Sequence, residues 1–145
     1  MAEDSCVIYP IGQVEKREGQ TRLRVFSKYA PGLLGLGGFS HVHVFWWFGE
    51  NDTPRKRETL QVHPRGDKEN PLTGVFATRA PVRPNLIATT LCRIRGIDGE
   101  VIRIDAIEAF DGTPILDLKP YIPAADRPQG DVRVPQWVAG RCGRM

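Results

Sequence analysis

Residues 86–106 read LIATTLCRIRGIDGEVIRIDA. Ala88, Thr90, Cys92 and Ile94 would share one face of an extended chain, and Thr89, Leu91, Arg93 and Arg95 the other. That two-residue period, in a run rich in β-branched side chains, is the signature of a half-buried strand. Asp98-Gly99 interrupts it with residues that turn a hairpin, and Ile102, Ile104 and Ala106 then fall opposite Val101, Arg103 and Asp105. The stretch predicts a strand over Leu86–Ile97 returning antiparallel over Val101–Ala106, and it places the chain in the all-β class.

Working outward, FSHVHVFWWF at Phe39–Phe48 is the most apolar run and reads as a central strand buried on both faces. His41 and His43 would point to one side of it. The only other histidine, His63, sits in a polar loop, so no metal site is expected. Ahead of this run, Lys28–Gly38 holds four glycines but neither a dinucleotide fingerprint nor a phosphate-loop lysine. It predicts a short helical turn with Leu33, Leu34 and Leu36 on the core. The first segment reads as two short strands, one at Val7-Ile8 and one at Leu23–Phe26, separated by the polar run Glu15–Arg22.

Between the apolar run and the hairpin lie two loops. Asn51–Thr73 is polar, with Pro54, Pro64, Pro71 and the run Arg55-Lys56-Arg57, and a short strand is expected at Leu60–Val62. Such a basic run is either a solvated surface or a track for an RNA backbone. GVFATRAPVRPN, at Gly74–Asn85, is excluded from helix and central strand by Pro81 and Pro84. It predicts an ordered, extended loop that holds Arg79, Arg83 and Asn85 at fixed spacing, three side chains that donate to phosphate, carboxylate or a base edge. After the hairpin, FDGTPILDLKPY at Phe110–Tyr121 combines turn chemistry at Asp111–Pro114 with a strand that carries Asp117 and Lys119 on one face. Val132, Val134, Trp137 and Val138 are expected to fasten the proline-containing tail.

With 145 residues and a formal charge of +3, the chain has the size of one domain and too little charge to argue for nucleic acid by itself. Cys6, Cys92 and Cys142 are distant, odd in number and without a C-x-x-C pair, which suits reduced thiols in a cytoplasmic protein. No apolar run approaches membrane-spanning length, and the acidic, polar start does not resemble a leader peptide.

GVFATRAPVRPN, followed by FDGTPILDLKPY and preceded by FSHVHVF, resembles the TsaA-like family, which includes the TrmO-type tRNA methyltransferases. The three motifs stand in the family's order and cover roughly residues 7–123. The resemblance implies a small β-barrel with short helical turns over residues 1–123, with 124–145 a tail on or beside it. It implies S-adenosyl-L-methionine as cofactor and methylation of the exocyclic nitrogen of threonylcarbamoyl-adenosine in tRNA. Carried over position by position, donor contacts fall on Gly49, Glu50, Arg79, Thr89, Asp111, Gly112, Thr113 and Pro114. Arg55, Lys56, Arg57 and Arg83 would contact RNA phosphates, and Asn85 or Asp117 would orient the acceptor amine. No residue stands out as a general base. A homodimer is implied, because the family's donor site lies close to a subunit contact. The chain departs from the family at several positions: Lys16–Gln20 replaces a Pro-Arg-Gln element, Gly49-Glu50 a histidine and a polar residue, Ala88 a glycine, and Thr89 a leucine. Two further readings stay open at this level, a small-molecule methyltransferase and a non-enzymatic nucleotide-binding module.

Overall fold

A computed structural model describes residues 4–140. The strands are β1 (Gly12–Arg17), β2 (Gln20–Val25), β3 (His41–Trp47), β4 (Gln61–Val62), β5 (Thr73–Gly74), β6 (Ile87–Asp98), β7 (Val101–Ile104) and β8 (Pro114–Pro120). Six of them close an antiparallel barrel in the order β1-β2-β7-β6-β3-β8, and β4 and β5 form a separate two-stranded ribbon.

The barrel fills itself from the alternation read in the sequence. Ala88, Thr90 and Cys92 on β6 point inward, as do Ile102 and Ile104 on β7. Val14, Leu23, Val42, Val44 and Ile115 complete a core with no exposed surface on these five side chains. Each such burial contributes roughly 1.5–3 kcal/mol, against about 0.5–1.5 kcal/mol net for one ladder hydrogen bond. Side-chain alternation therefore fixes the register.

Two turns set the hairpins. Arg17 pairs with Gln20 across Glu18-Gly19, both at positive φ (53° and 76°), the geometry of a type I′ turn. The polar run Glu15–Arg22 is thus the hairpin itself, β1 continuing through it, while Val7 and Ile8 are exposed and lie in no strand. In the second hairpin Asp98 pairs with Val101, so the turn is Gly99-Glu100, one residue later than expected. A bulge between Ile94 and Gly96 breaks the ladder there.

Other expectations are corrected. β3 is buried on one face only, its inward Val42, Val44 and Trp46 alternating with half-exposed His41, His43, Phe45 and Trp47. Barrel strands bury one face against the interior, and apolar content alone does not reveal whether the other face is covered. Leu33 and Leu36 pack against the core, from two 3-10 turns, but Leu34 between them is 95% exposed. Gly35, at φ 91°, turns the chain at that point and leaves Leu34 on the outside. The Arg55-Lys56-Arg57 run is helical: α1 (Pro54–Glu58) starts at Thr53, whose hydroxyl accepts from the Lys56 N–H. In the tail, α2 (Pro123–Asp126) and α3 (Gln136–Ala139) form, with Trp137 half-buried but Val132 and Val134 exposed. Cys142 lies outside the described residues.

Candidate donor and acceptor cleft

β6 is twelve residues long and β7 four, so β7 covers only its second half, from Ile94 onward. Toward β3 the even-numbered residues of β6 make the bonds: Ile94 N–H donates to Ser40 C=O and Phe48 N–H to Leu86 C=O. The odd-numbered ones face the other way. At Arg93 that edge is satisfied by Asp105, whose N–H donates to Arg93 C=O while its carboxylate accepts from Arg93 N–H. Thr89 and Leu91 follow the same alternation, and their N–H and C=O groups point where the β7 ladder has ended. A strand in the middle of the barrel thus has one open half-edge.

A cleft of about 390 Å³ lies along that edge. Its floor is Trp46, Phe48, Ala88 and Thr90, its near wall Ile87, Thr89 and Leu91, and its far wall Thr78, Arg79, Arg83 and Glu108. Trp46 and Phe48 stack edge to face at 4.8 Å, which makes the floor aromatic. The indole N–H of Trp46 donates to Thr90 Oγ1 at 3.0 Å, and the Thr90 hydroxyl donates to Glu108 Oε2 at 2.8 Å. This chain runs from the buried core to a carboxylate at the cleft and fixes where that carboxylate sits. Ala88 belongs to the buried core cluster.

The far wall is the extended loop. It is braced internally: Arg83 Nη1 donates to the Thr78 and Ala80 carbonyls, and Thr78 Oγ1 accepts from Ala80 N–H. Arg57 fastens α1 to this loop, donating from Nε to Pro84 C=O at 2.9 Å while Nη1 pairs with Asp52 at 3.2 Å and the guanidinium lies over Trp47. Arg55 and Lys56 remain exposed on the helix.

The structure therefore brings Arg79, Thr89 and Arg83 together. It sets the other predicted residues elsewhere. Gly49 and Glu50 form an exposed 3-10 turn directly after Phe48. Asp111–Pro114 is a tight turn, with Gly112 at φ 84° and Thr113 N–H bonded to Phe110 C=O, docked on β1 through Val14 and through Lys16 N–H to Asp111 Oδ1. Asn85 is exposed at the start of β6 and does not line the cleft. Asp117 lies on the outer face of β8, paired with Lys119 at 3.3 Å, and also does not line it. His41 and His43 share the outer face of β3, as alternation predicts. The His41 ring bonds Ser40 Oγ at 2.7 Å, His43 Nε2 lies 3.4 Å from Asp126, and both rings meet Tyr121. Among the described residues no group of three histidine, cysteine or carboxylate side chains is arranged to hold a metal ion.

Sequence reasoning missed Glu108. It stands in the irregular stretch between β7 and β8, where no period marks its direction. Only its place near the DGTP turn, with Thr90 inward-facing across the hairpin, carries a trace of the contact.

Comparison with known proteins agrees with this architecture. A probable S-adenosyl-L-methionine-binding protein of Methanocaldococcus jannaschii is 46% identical over 120 residues, 83% of this chain and 95% of the relative. The human tRNA (adenine(37)-N6)-methyltransferase is 40% identical over 108 residues, 74% of this chain, which spans only 24% of that relative. The crystal structure of TrmO from Pseudomonas aeruginosa superposes with a TM-score of 0.67 at 27% identity, covering 90% of this chain, which spans 62% of that structure. Residues 7–127 match the family described as the tRNA-methyltransferase O N-terminal domain, and the chain belongs to that family.

Proposed function

We propose that the cleft beside β6 is where an S-adenosyl-L-methionine-dependent methyltransferase joins its donor to an adenine of tRNA, and that the acceptor is the exocyclic nitrogen of threonylcarbamoyl-adenosine. The open half-edge of β6 carries this reading. An adenine presents ring-nitrogen acceptors beside an amino donor, and the N–H and C=O groups of Thr89 and Leu91 offer the complementary pair. The aromatic floor of Trp46 and Phe48 suits its flat face. Such recognition uses backbone, so threonine in place of leucine at position 89 is compatible with it.

Arg79 is the donor-carboxylate ligand in this reading, while Gly49-Glu50, directly after Phe48, and the Asp111–Pro114 turn, docked on β1, lie outside the cleft lining and would meet only a part of the donor that projects from it. Bound S-adenosyl-L-methionine supplies a methyl on a sulfonium. The chain's own task is to hold the acceptor nitrogen in line behind it and exclude water. Transfer would form the nitrogen–carbon bond as the donor's sulfur–carbon bond breaks, leaving the electron pair on sulfur and an extra proton on the acceptor nitrogen. The proton on the acceptor nitrogen then needs a base, and Glu108, pinned by Thr90, stands at the cleft to receive it. The threonyl carboxylate of the acceptor would meet the remaining donors of Arg83, whose Nη1 braces the loop. Arg55 and Lys56 on α1 would meet phosphates, and Arg57 and Asn85 would hold the cleft wall and its approach.

A homodimer belongs to the same proposal. Ile87 and Leu91, 43% and 42% exposed, lie on the outer face of β6 at the cleft mouth. A second copy covering them would close the mouth.

Calorimetric titration of S-adenosylhomocysteine into the protein tests the site. Micromolar binding that weakens on the order of tenfold or more in Arg79→Ala is expected, the loss of a charge-assisted contact. Unchanged affinity in a folded Arg79→Ala protein would remove Arg79 from the donor site.

A further inference from the structure

Beyond the cleft the outer surface of the barrel changes character, because β6, β7 and β2 carry arginines in register. Arg103 on β7 stands directly opposite Arg22 on β2 and, on its other side, opposite Gly96 on β6. Both arginines occupy outward positions of strands whose alternate residues, Leu23, Ile102 and Ile104, are buried. Arg95, exposed in the bulge of β6, precedes Gly96, and exposed Arg93 lies two residues on from the cleft residue Leu91. Neighbouring strands run about 4.8 Å apart, so these charges form one row leading from the cleft edge across the sheet.

Folding alone does not account for the row. Like charges directly opposite one another on a sheet are destabilising. The Nε of Arg22 is buried, and among the described residues it has no hydrogen-bond partner, a further cost. Its Nη2 stands 3.9 Å from Glu15 Oε1, beyond hydrogen-bond reach, while Arg24 holds Glu15 Oε2 at 2.7 Å. Asp98 lies 3.9 Å from Arg103 Nε with its side chain 87% exposed, a pairing that contributes little. Asp105 Oδ1 accepts from the N–H groups of Arg93 and Ala106. Gly96 gives the row its shape: a Cβ there would collide with the Arg103 guanidinium, which therefore lies across bare backbone and reaches over β6.

We infer that the outer face of β2, β7 and β6 is a docking surface for the phosphate backbone of the tRNA whose adenine enters the cleft. The inference rests on the proposed tRNA reading for the partner, and on the arginine row for the surface. A polyanion turns the opposed charges from a cost into a gain, since each phosphate neutralised releases a counterion. Arginine suits it, because its planar fork meets phosphate oxygens two at a time. Such contacts fix where the RNA lies and carry no sequence information.

The test measures binding of two fluorescein-labelled RNA stem-loops of unrelated sequence to the whole chain, by anisotropy over a range of salt. Arg95→Gln and Arg103→Thr are each expected to weaken both RNAs by the same factor. Each should also lower the slope of log affinity against log salt by about one. The double variant should lose about tenfold or more in affinity, with S-adenosylhomocysteine affinity unchanged throughout. Arg103→Thr should melt at or above the wild-type temperature, because it relieves the opposition to Arg22 and places a β-branched residue in the strand. Weaker RNA binding without loss of stability is a result that a merely structural role would not give. If the wild type binds RNA and the double variant keeps its affinity and slope, the inference is overturned while the cleft reading stands, and the row is left to an acidic protein surface. A loss confined to one stem-loop would also overturn it, by assigning the arginines to base edges. A wild type that binds S-adenosylhomocysteine but neither RNA would overturn both this surface and the tRNA reading.

Discussion

Glu108 shows how a single side chain gains a role from its supports. Its carboxylate is not deeply buried, yet Thr90 and Trp46 hold it against the cleft. Glu108→Gln keeps an oxygen to accept from Thr90 and removes the capacity to take a proton. We expect kcat for transfer to tRNA to fall by about a hundredfold or more, the usual range for a general base, while S-adenosylhomocysteine affinity stays unchanged by calorimetry. Thr89 offers the opposite case, a position whose side chain is secondary. Thr89→Ala should leave donor affinity essentially as it is, whereas Thr89→Pro removes the N–H that faces the cleft and should abolish binding in the same titration. Proline is tolerated there by the β3 ladder, because the residue 89 N–H points away from it. What was legible at this scale is a shared place: Arg79, Arg83 and Thr89 line one cleft. Glu108 was not, since its stretch has no period to orient it. Asp117 was misleading for a related reason, because alternation gives a face but does not say which surface that face meets.

At the scale of elements, the period-two runs were legible and the limits of pairing were not. Residues 86–106 announced their hairpin, yet nothing in them showed that β7 would stop at Ile104 and leave Thr89 and Leu91 uncovered. There the Asp105 carboxylate, rather than a backbone carbonyl, accepts from the Arg93 N–H, while the Asp105 N–H still donates to the Arg93 carbonyl. β1 was hidden for a different reason. Its outward residues Gln13, Glu15 and Arg17 are polar or charged, and the buried Glu15 carboxylate is paired with Arg24 at 2.7 Å and Arg22 at 3.9 Å, both on β2. The close approach of β1 to β2 is tightest at Gly12, where a Cβ would collide with the Arg24 carbonyl. Gly12→Ala should therefore destabilise the barrel by about 1–3 kcal/mol, as overpacking does, read from the urea midpoint at constant m-value.

For the whole molecule, the barrel is a frame that places one loop. α1 through Arg57, the internal bonds of Arg83 and the β4–β5 ribbon all hold Gly74–Asn85 along the cleft. The family's fold was legible from three motifs, while the arginine row was not, because β2 and β7 are far apart in the chain. If a second copy covers the cleft mouth, Leu91→Asp should shift sedimentation from dimer to monomer and weaken donor binding along with it. No helix among the described residues is long and apolar enough to cross a membrane. The half-open edge of β6 also acts as a clock. The amide protons of Thr89 and Leu91 face solvent in an otherwise laddered strand, so in the empty protein they should exchange with deuterium fast while those of Thr90 and Cys92 stay protected. Occupancy of the cleft would then be recorded residue by residue, as the slowing of two amides whose neighbours on either side do not change.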